Sequence, residues 1–294
     1  MSLSLAVASS CSSDAGDDTD AAVLASCGNM AAAQCNYAAA CMPAVLSTEY
    51  ADAETCKSRV RLNCVGITKR PGSSWNAARL DQCTEYLNRG TCDAWNFTGS
   101  PCANTPGTLP DGARCFDSSQ CASAFCKLVA TGEELPACGT CTPSGCTPTS
   151  CGANQVCLPS TAGGQCIDVL SEGEACTPTS LCSSGLSCIE SVCAKQRSDG
   201  EPCSSLTDCN YPQGLACIDR VCRQPATAQP GEACGDAARC TAGAQCKLVP
   251  PSTSLTCVAP LADGSPCTAS GASCRSPARC LGGKCTLPAD LSCP

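Results

Sequence analysis

The chain contains no histidine. That removes Ser-His-Asp and Cys-His catalysis, imidazole-ligated metals and the commonest general base near neutral pH. Large apolar side chains are scarce as well. Leu, Ile, Val and Phe number 41 of 294 residues, about 14%, and aromatic residues make up 3%. Below roughly 20%, a charged chain has too few such side chains to fold around an apolar core alone. Clustered cations are missing too: 18 Lys and Arg stand against 26 Asp and Glu, for a net charge of −8, and no basic block occurs. Binding to a phosphate backbone needs such a block, which excludes nucleic acid as a partner. No run of eighteen apolar residues is present, so no segment reads as a membrane-spanning helix.

What the chain has instead is cysteine, 35 residues or about 12%. More than roughly 8–10% in a secreted chain marks a disulfide scaffold. A disulfide closing a loop of about 15 residues contributes roughly 3 kcal/mol, mainly by restricting the unfolded chain. Such bonds persist outside the reducing cytosol, which implies export.

The opening "MSLSLAVASSC" lacks the cationic start of a signal peptide. It resembles the tail of a bacterial lipoprotein signal, a lipobox, with small residues Ala8, Ser9 and Ser10 directly before Cys11. That resemblance implies lipid attachment at Cys11; a free or intermolecularly paired thiol is the alternative. The acidic run that follows, "SSDAGDDTD", reads as a disordered tether. It lacks the Gly and Glu of an EF-hand loop. Thirty-five cysteines are odd; with Cys11 set aside, thirty-four can form seventeen bridges.

Residues 21–92 show helical periodicity. In "CGNMAAAQCNYAAAC", Cys27, Met30, Gln34, Ala38 and Cys41 fall near one face. In "DAETCKSRVRLNC", Cys56, Val60 and Cys64 form one stripe, and Asp52 is placed as the N-cap. "SSWNAARLDQCTEYLNRG" is expected to start at Ser73 or Ser74, bury Leu80, Cys83 and Leu87, and stop at Gly90. Cysteines in one stripe of a helix point the same way and cannot readily bond to each other, so the pairs are expected to run between helices. Eight cysteines fall here, an even set: Cys27, Cys35, Cys41, Cys56, Cys64, Cys83, Cys92 and Cys102. Tyr37, Tyr50, Trp75, Tyr86 and Trp95 read as packing residues.

From Cys115 onward the pattern becomes repetitive. Openings recur as "DGARC", "EGEAC", "DGEPC", "PGEAC" and "DGSPC", starting at residues 111, 172, 199, 230 and 263, with a degenerate "PSGC" at 143. The first cysteines recur about every 30 residues. Each unit approximates C-x5-C-x5-C-x4-C, as in "CTPTSLCSSGLSCIESVC". The six sets are Cys115, Cys121, Cys126 and Cys138; Cys146, Cys151, Cys157 and Cys166; Cys176, Cys182, Cys188 and Cys193; Cys203, Cys209, Cys217 and Cys222; Cys234, Cys240, Cys246 and Cys257; Cys267, Cys274, Cys280 and Cys285. Cys141 and Cys293 are left over. The turn glycines are expected at positive φ. Four cysteines allow three pairings per unit, of which first-to-third with second-to-fourth would make a small knot.

These openings and spacings resemble the Dickkopf N-terminal cysteine-rich domain, which also occurs in tandem in bacterial surface proteins behind a helical cysteine-bearing segment. The resemblance covers roughly residues 27–285. It implies small disulfide-rich repeats of loops and short β-hairpins preceded by a small disulfide-linked α-helical domain. It does not carry over any receptor-binding residue. The organisation expected is a residual lipoprotein signal over 1–10, an acidic tether over 11–20, the helical domain over 21–108 and six repeats over 109–294. Each repeat has only a handful of large apolar residues, so the array is expected to form a stiff rod whose units lean on their neighbours.

Candidate chemistry is sparse, and no catalytic residue or cofactor is expected. "CGTC" at 138–141 reads as structural, since no strand-turn-helix frame surrounds it; a thioredoxin-like redox pair is the alternative. Spacings of five do not match thiolate metal sites, so no metal is expected. Two long loops begin "CKLV", at Lys127 and Lys247. Loops pinned at both ends are preorganised to enter a protease cleft, which makes an inhibitor the runner-up function. "NFT" at 96–98 is a glycosylation sequon only in a eukaryotic source. The leading expectation is a non-enzymatic exported surface lipoprotein. It would meet the membrane only through lipid and act as a spacer or a binding module for an extracellular protein or glycan.

Overall fold

The computed structural model describes residues 15–92, 100–103, 105–128, 138–143, 145–146, 150–152, 154–160, 163–177, 179–183, 185–235, 237–249, 253–268 and 272–287. Four helices come first: α1 (Ala15–Cys41), α2 (Pro43–Tyr50), α3 (Ala53–Thr68) and α4 (Ala77–Arg89). Helix α1 starts inside the expected acidic tether, at the run "AGDDTD". Acidic residues favour a helix N-terminus because the dipole there is positive, so this segment continues the helix. Asp52 caps α3, its carboxylate accepting from the Thr55 amide at 2.7 Å. For α4 the cap is Asn76, which accepts from Arg79 N at 3.0 Å, rather than Ser73 or Ser74. Those serines are held elsewhere: Ser74 Oγ donates to Thr105 O, and Ser74 N donates to Ser119 O.

The helices are joined as an antiparallel pair of cysteine stripes predicts. Cys27–Cys64 and Cys35–Cys56 bolt α1 to α3, eight residues apart along both helices. The other two bridges do not join helix to helix as expected: Cys41–Cys92 and Cys83–Cys102 tie the end of α1 and the middle of α4 to the chain that follows α4. Around these staples pack Tyr37, Met42 and Leu87 in one cluster, Ala31 and Val60 in another, and Leu80 with Trp75 in a third. Trp95 lies outside the described residues.

Beyond residue 108 the described residues form short strands in seven small sheets, with single 3-10 turns at Ser118–Gln120, Leu206–Asp208 and Tyr211–Gln213. The first unit holds β1 (Arg114–Cys115), β2 (Cys126–Lys127) and β3 (Gly139–Cys141). The second holds β4 (Gln155–Ser160) and β5 (Gly163–Leu170), the third β6 (Leu181–Cys182), β7 (Leu186–Ile189) and β8 (Val192–Lys195). β9 (Ala216–Ile218) and β10 (Val221–Arg223) form the fourth, and β11 (Ala226–Ala228) leads out of it. The fifth holds β12 (Ala238–Cys240), β13 (Gln245–Leu248) and β14 (Leu255–Val258), the sixth β15 (Arg279–Leu281) and β16 (Lys284–Thr286).

One joint recurs in five units. The turn glycine donates its N–H to the carbonyl of the unit's last cysteine: Gly112 to Cys141, Gly173 to Cys193, Gly200 to Cys222, Gly231 to Cys257 and Gly264 to Cys285. All five glycines have φ between +77° and +92°. The residue three places earlier pairs in parallel with the second cysteine, as Leu109 with Cys121, Leu170 with Cys182 and Ala228 with Cys240. A Cβ added at Gly173 would meet nothing within 4 Å, so alanine there tests backbone conformation alone. Gly173→Ala is expected to cost about 1–2 kcal/mol. Amide exchange at Cys193, which donates to Glu174 O, should then quicken roughly five- to thirty-fold. An unchanged rate would show that the turn needs no left-handed residue.

The array does not run out as a free rod. Unit one sits on the α3–α4 connection, with Gln120 Nε2 donating to Pro71 O, Thr108 N to Gly72 O, and Arg70 paired with Asp117. Gly214 of unit four touches α2 so closely that a Cβ there would lie 2.3 Å from the Ala44 side chain. In unit five, Ala242 and Gly243 (φ 59° and 73°) aim consecutive N–H groups at Ser47 O and Thr48 O, capping the end of α2. Unit six docks on α3. Among the described residues, the helical segment thus meets units one, four, five and six. It does so because each unit is too poor in apolar surface to be indifferent to a neighbour.

Candidate functional site

The chemistry the sequence places in this protein is cysteine chemistry, and all thirty-three cysteines among the described residues are in disulfides. Five units have crossed pairs, first to third and second to fourth: Cys146–Cys157 with Cys151–Cys166, Cys176–Cys188 with Cys182–Cys193, and Cys203–Cys217 with Cys209–Cys222. Cys234–Cys246 with Cys240–Cys257 and Cys267–Cys280 with Cys274–Cys285 complete them. The C-x4-C spacing has a plain cause. Third and fourth cysteines face each other across a hairpin, as Cys188 and Cys193 do, and a two-residue turn closes it. Glu190 and Ser191, both at positive φ, make that turn.

The first unit differs from the expected set. Cys115 pairs with Cys126 as elsewhere, but Cys121 pairs with Cys141, not with Cys138. Cys141 faces Cys126 in the β2–β3 ladder and accepts from the turn Gly112, so it holds the fourth-cysteine position. Cys138 is disulfide-bonded too, outside these two bridges. "CGTC" therefore does not close on itself. Its last three residues form the extended strand β3, and an extended backbone carries cysteines three apart beyond the roughly 4.4–6.8 Å Cα separation of a disulfide. The geometry of a redox pair is missing here.

Sulfur atoms do converge in the units. Cys115, Cys121 and Cys126, for example, lie within 4.8 Å of one another, close enough to ligate one ion. Ligation requires thiolates, and these sulfurs are bonded in pairs. Cys11, the expected lipid site, and Cys293 lie outside the described residues. Thirty-three is odd, so one of these two completes the last bridge, and alkylation of the denatured, unreduced protein should modify at most one thiol. Ten or more would show a reduced, metal-storing chain instead.

Lys127 and Lys247 both lie in hairpin stems. Lys127 faces Thr140 in the β2–β3 ladder, and Lys247 faces Thr256 in β13–β14. A protease needs its target bond in an accessible extended loop, which a paired strand does not offer. The neighbouring leucines are what the surface presents. Leu248 is 56% exposed opposite Leu255 at 44%, and Leu128 and Leu158 stand out on the two other long hairpins.

A second constellation has no sequence signature. Arg59 of α3, 8% exposed, is held by four hydrogen bonds from unit six. Its Nη1 and Nη2 donate to the two Asp263 oxygens at 2.6 and 2.9 Å, Nη2 also to Arg275 O, and Nε to Ser276 O. Asp263 is the acidic residue of the "DGSPC" opening. The hydrogen bond from Arg59 holds its carboxyl below the usual carboxylate range, against a partial opposition from burial.

Dense cross-linking of this kind defines a small disulfide-rich protein stabilised for an extracellular environment. No helix among the described residues is long and apolar enough to cross a membrane. Compared with known proteins, the chain matches no protein-family model, no curated protein and no solved structure.

Proposed function

We propose that this protein is a non-enzymatic surface lipoprotein, anchored through lipid on Cys11, whose Dickkopf-like repeats display binding hairpins outside the cell. The observation that carries the reading is the set of exposed leucines on hairpins whose bases are locked by crossed disulfides. Leu128, Leu158 and Leu248 each follow the third cysteine of a unit by one or two residues, and each stands in solvent. Locked stems remove the ordering cost that a mobile loop would have to overcome on binding. Apolar tips of this kind favour a protein ligand over a glycan. The lack of histidine and of any reduced cysteine among the described residues supports a binding role rather than catalysis.

The test immobilises the protein and a Leu248→Asp, Leu255→Asp variant and exposes both to the extracellular fraction of the source cells. A protein retained by the first and lost from the second supports the reading. Equal retention by both, or retention abolished by periodate treatment of the fraction, overturns it in favour of another surface or a glycan. No retention at all reduces the array to a spacer.

A further inference from the structure

Between α1, α3 and α4 lies a cavity of about 270 Å3. Its inner wall is mostly apolar: Met30 from α1, Val60 and Ile67 from α3, Leu80 and Leu87 from α4, and Trp75 from the connection before α4. Protein interiors normally close such gaps, because side chains facing a void lose their dispersion contacts. Here the helices cannot easily slide or roll to do so. Cys27–Cys64 and Cys35–Cys56 fix α1 against α3, Cys83–Cys102 pins the chain after α4 onto that helix, and the Cys64, Cys83 and Cys102 side chains themselves line the space. The α1–α3 staples thus border the space on one side.

The polar groups around it define what could occupy it. Gln34 and Asn63 are exposed and mark the mouth, with the half-buried Tyr50 beside them. Among the described residues none of these three side chains makes a hydrogen bond, so a neutral carbonyl and donor set faces an incoming group. Burial, with Glu49 adding to it, pushes the Tyr50 phenol up, which keeps it a neutral donor. Among the described residues, Arg59 is the one charged residue lining the cavity, and Asp263 already matches its charge. A ligand with a net charge would find no counter-charge here.

We propose that this cavity binds a small neutral amphiphile, with a compact apolar body between the helices and one hydroxyl, carbonyl or amide group at Tyr50, Gln34 and Asn63. Its volume falls just below the roughly 300–1,000 Å3 of ligand pockets, which sets a ligand smaller than drug size. The site is independent of the hairpin leucines, which lie on the repeats.

The test titrates the full oxidised chain with N-phenylnaphthylamine, a neutral fluorescent probe with one N–H. Saturable binding of one probe per chain is expected, displaced by decanol but at least ten-fold less well by decanoate. Ile67→Trp, which fills the cavity from a partly exposed position, should weaken binding at least ten-fold with helical circular dichroism and disulfide pairing intact. Tyr50→Phe, which keeps the packing, should weaken displacement by decanol about three- to ten-fold. The Leu248→Asp, Leu255→Asp variant should bind the probe like the wild type. Absence of saturable binding overturns the proposal. So does binding that a folded Ile67→Trp leaves unchanged, that follows the hairpin variant, or that decanoate displaces as well as decanol.

Discussion

Arg59→Ala is expected to release the last repeat from the helices while leaving its two disulfides intact. The guanidinium makes four hydrogen bonds to unit six, two of them to the Asp263 carboxylate. Truncating one partner of a buried, hydrogen-bonded charge pair costs roughly 2–5 kcal/mol. Asp263 keeps 34% of its side chain in water, which places the loss toward the lower end of that range. Even about 2 kcal/mol raises the undocked fraction some thirty-fold. The bond after Arg275, whose carbonyl accepts from Arg59, then becomes available to trypsin. Faster cleavage there, seen as two fragments after reduction, should accompany a larger radius of gyration by solution scattering. Equal cleavage rates and equal dimensions would show that unit six is held by something other than this arginine.

The same contact gives a pH dependence with a definite sign. The folded-state pKa of Asp263 is lowered from 3.8 by its hydrogen bond to Arg59. Its contribution is therefore complete above the ordinary carboxylate range and is lost as pH falls below about 4 through the depressed folded value. Wild-type protein should expand over that acidic window. The Arg59→Ala protein, which lacks the guanidinium that lowers this pKa, should change less.

A larger local effect is expected from Cys176→Ser with Cys188→Ser. Removing a native disulfide from a small domain costs roughly 2–5 kcal/mol. In this unit little else is buried besides cysteine: among the described residues, Ile189 is the one large apolar side chain that is buried. Burying it fully supplies only about 1.5–3 kcal/mol. The unit should unfold as a whole, and proteolysis should concentrate between residues 166 and 203. By contrast, Cys27→Ala with Cys64→Ala should leave most of the helical signal, because Leu80, Tyr37, Met42 and Val60 still pack there. Loss of helix in the first variant, or of all units together, would mean that helices and repeats unfold as one.

Local patterns were legible in the sequence. The positive-φ glycines, the Asp52 cap and the bridging of α1 to another helix follow from residue types at short spacing, where sterics and hydrogen bonding decide. The first unit shows the limit. Counting along the chain puts Cys138 fourth, but strand register decides, and it selects Cys141. The docking of the repeats was not legible for a related reason. Arg59 and Asp263 are 204 residues apart, and one arginine in a helix or one aspartate in a turn carries no mark of its partner. The same holds for the cavity, which depends on how three helices are held rather than on any motif.

The tie between each turn glycine and its fourth cysteine has a consequence for how such a chain can vary. In units three, four and six the third and fourth cysteines are separated by four residues, while in units one and five the intervening chain is far longer. Yet the crossed bridges and the glycine-to-carbonyl bond are the same in all five. The hairpin apex is thus mechanically insulated from the frame beneath it. New sequence inserted at that one point alters what the unit shows to the outside without disturbing the seams to either side. Each repeat is a socket into which foreign peptides can be grafted, and the natural long hairpins are the first grafts to swap.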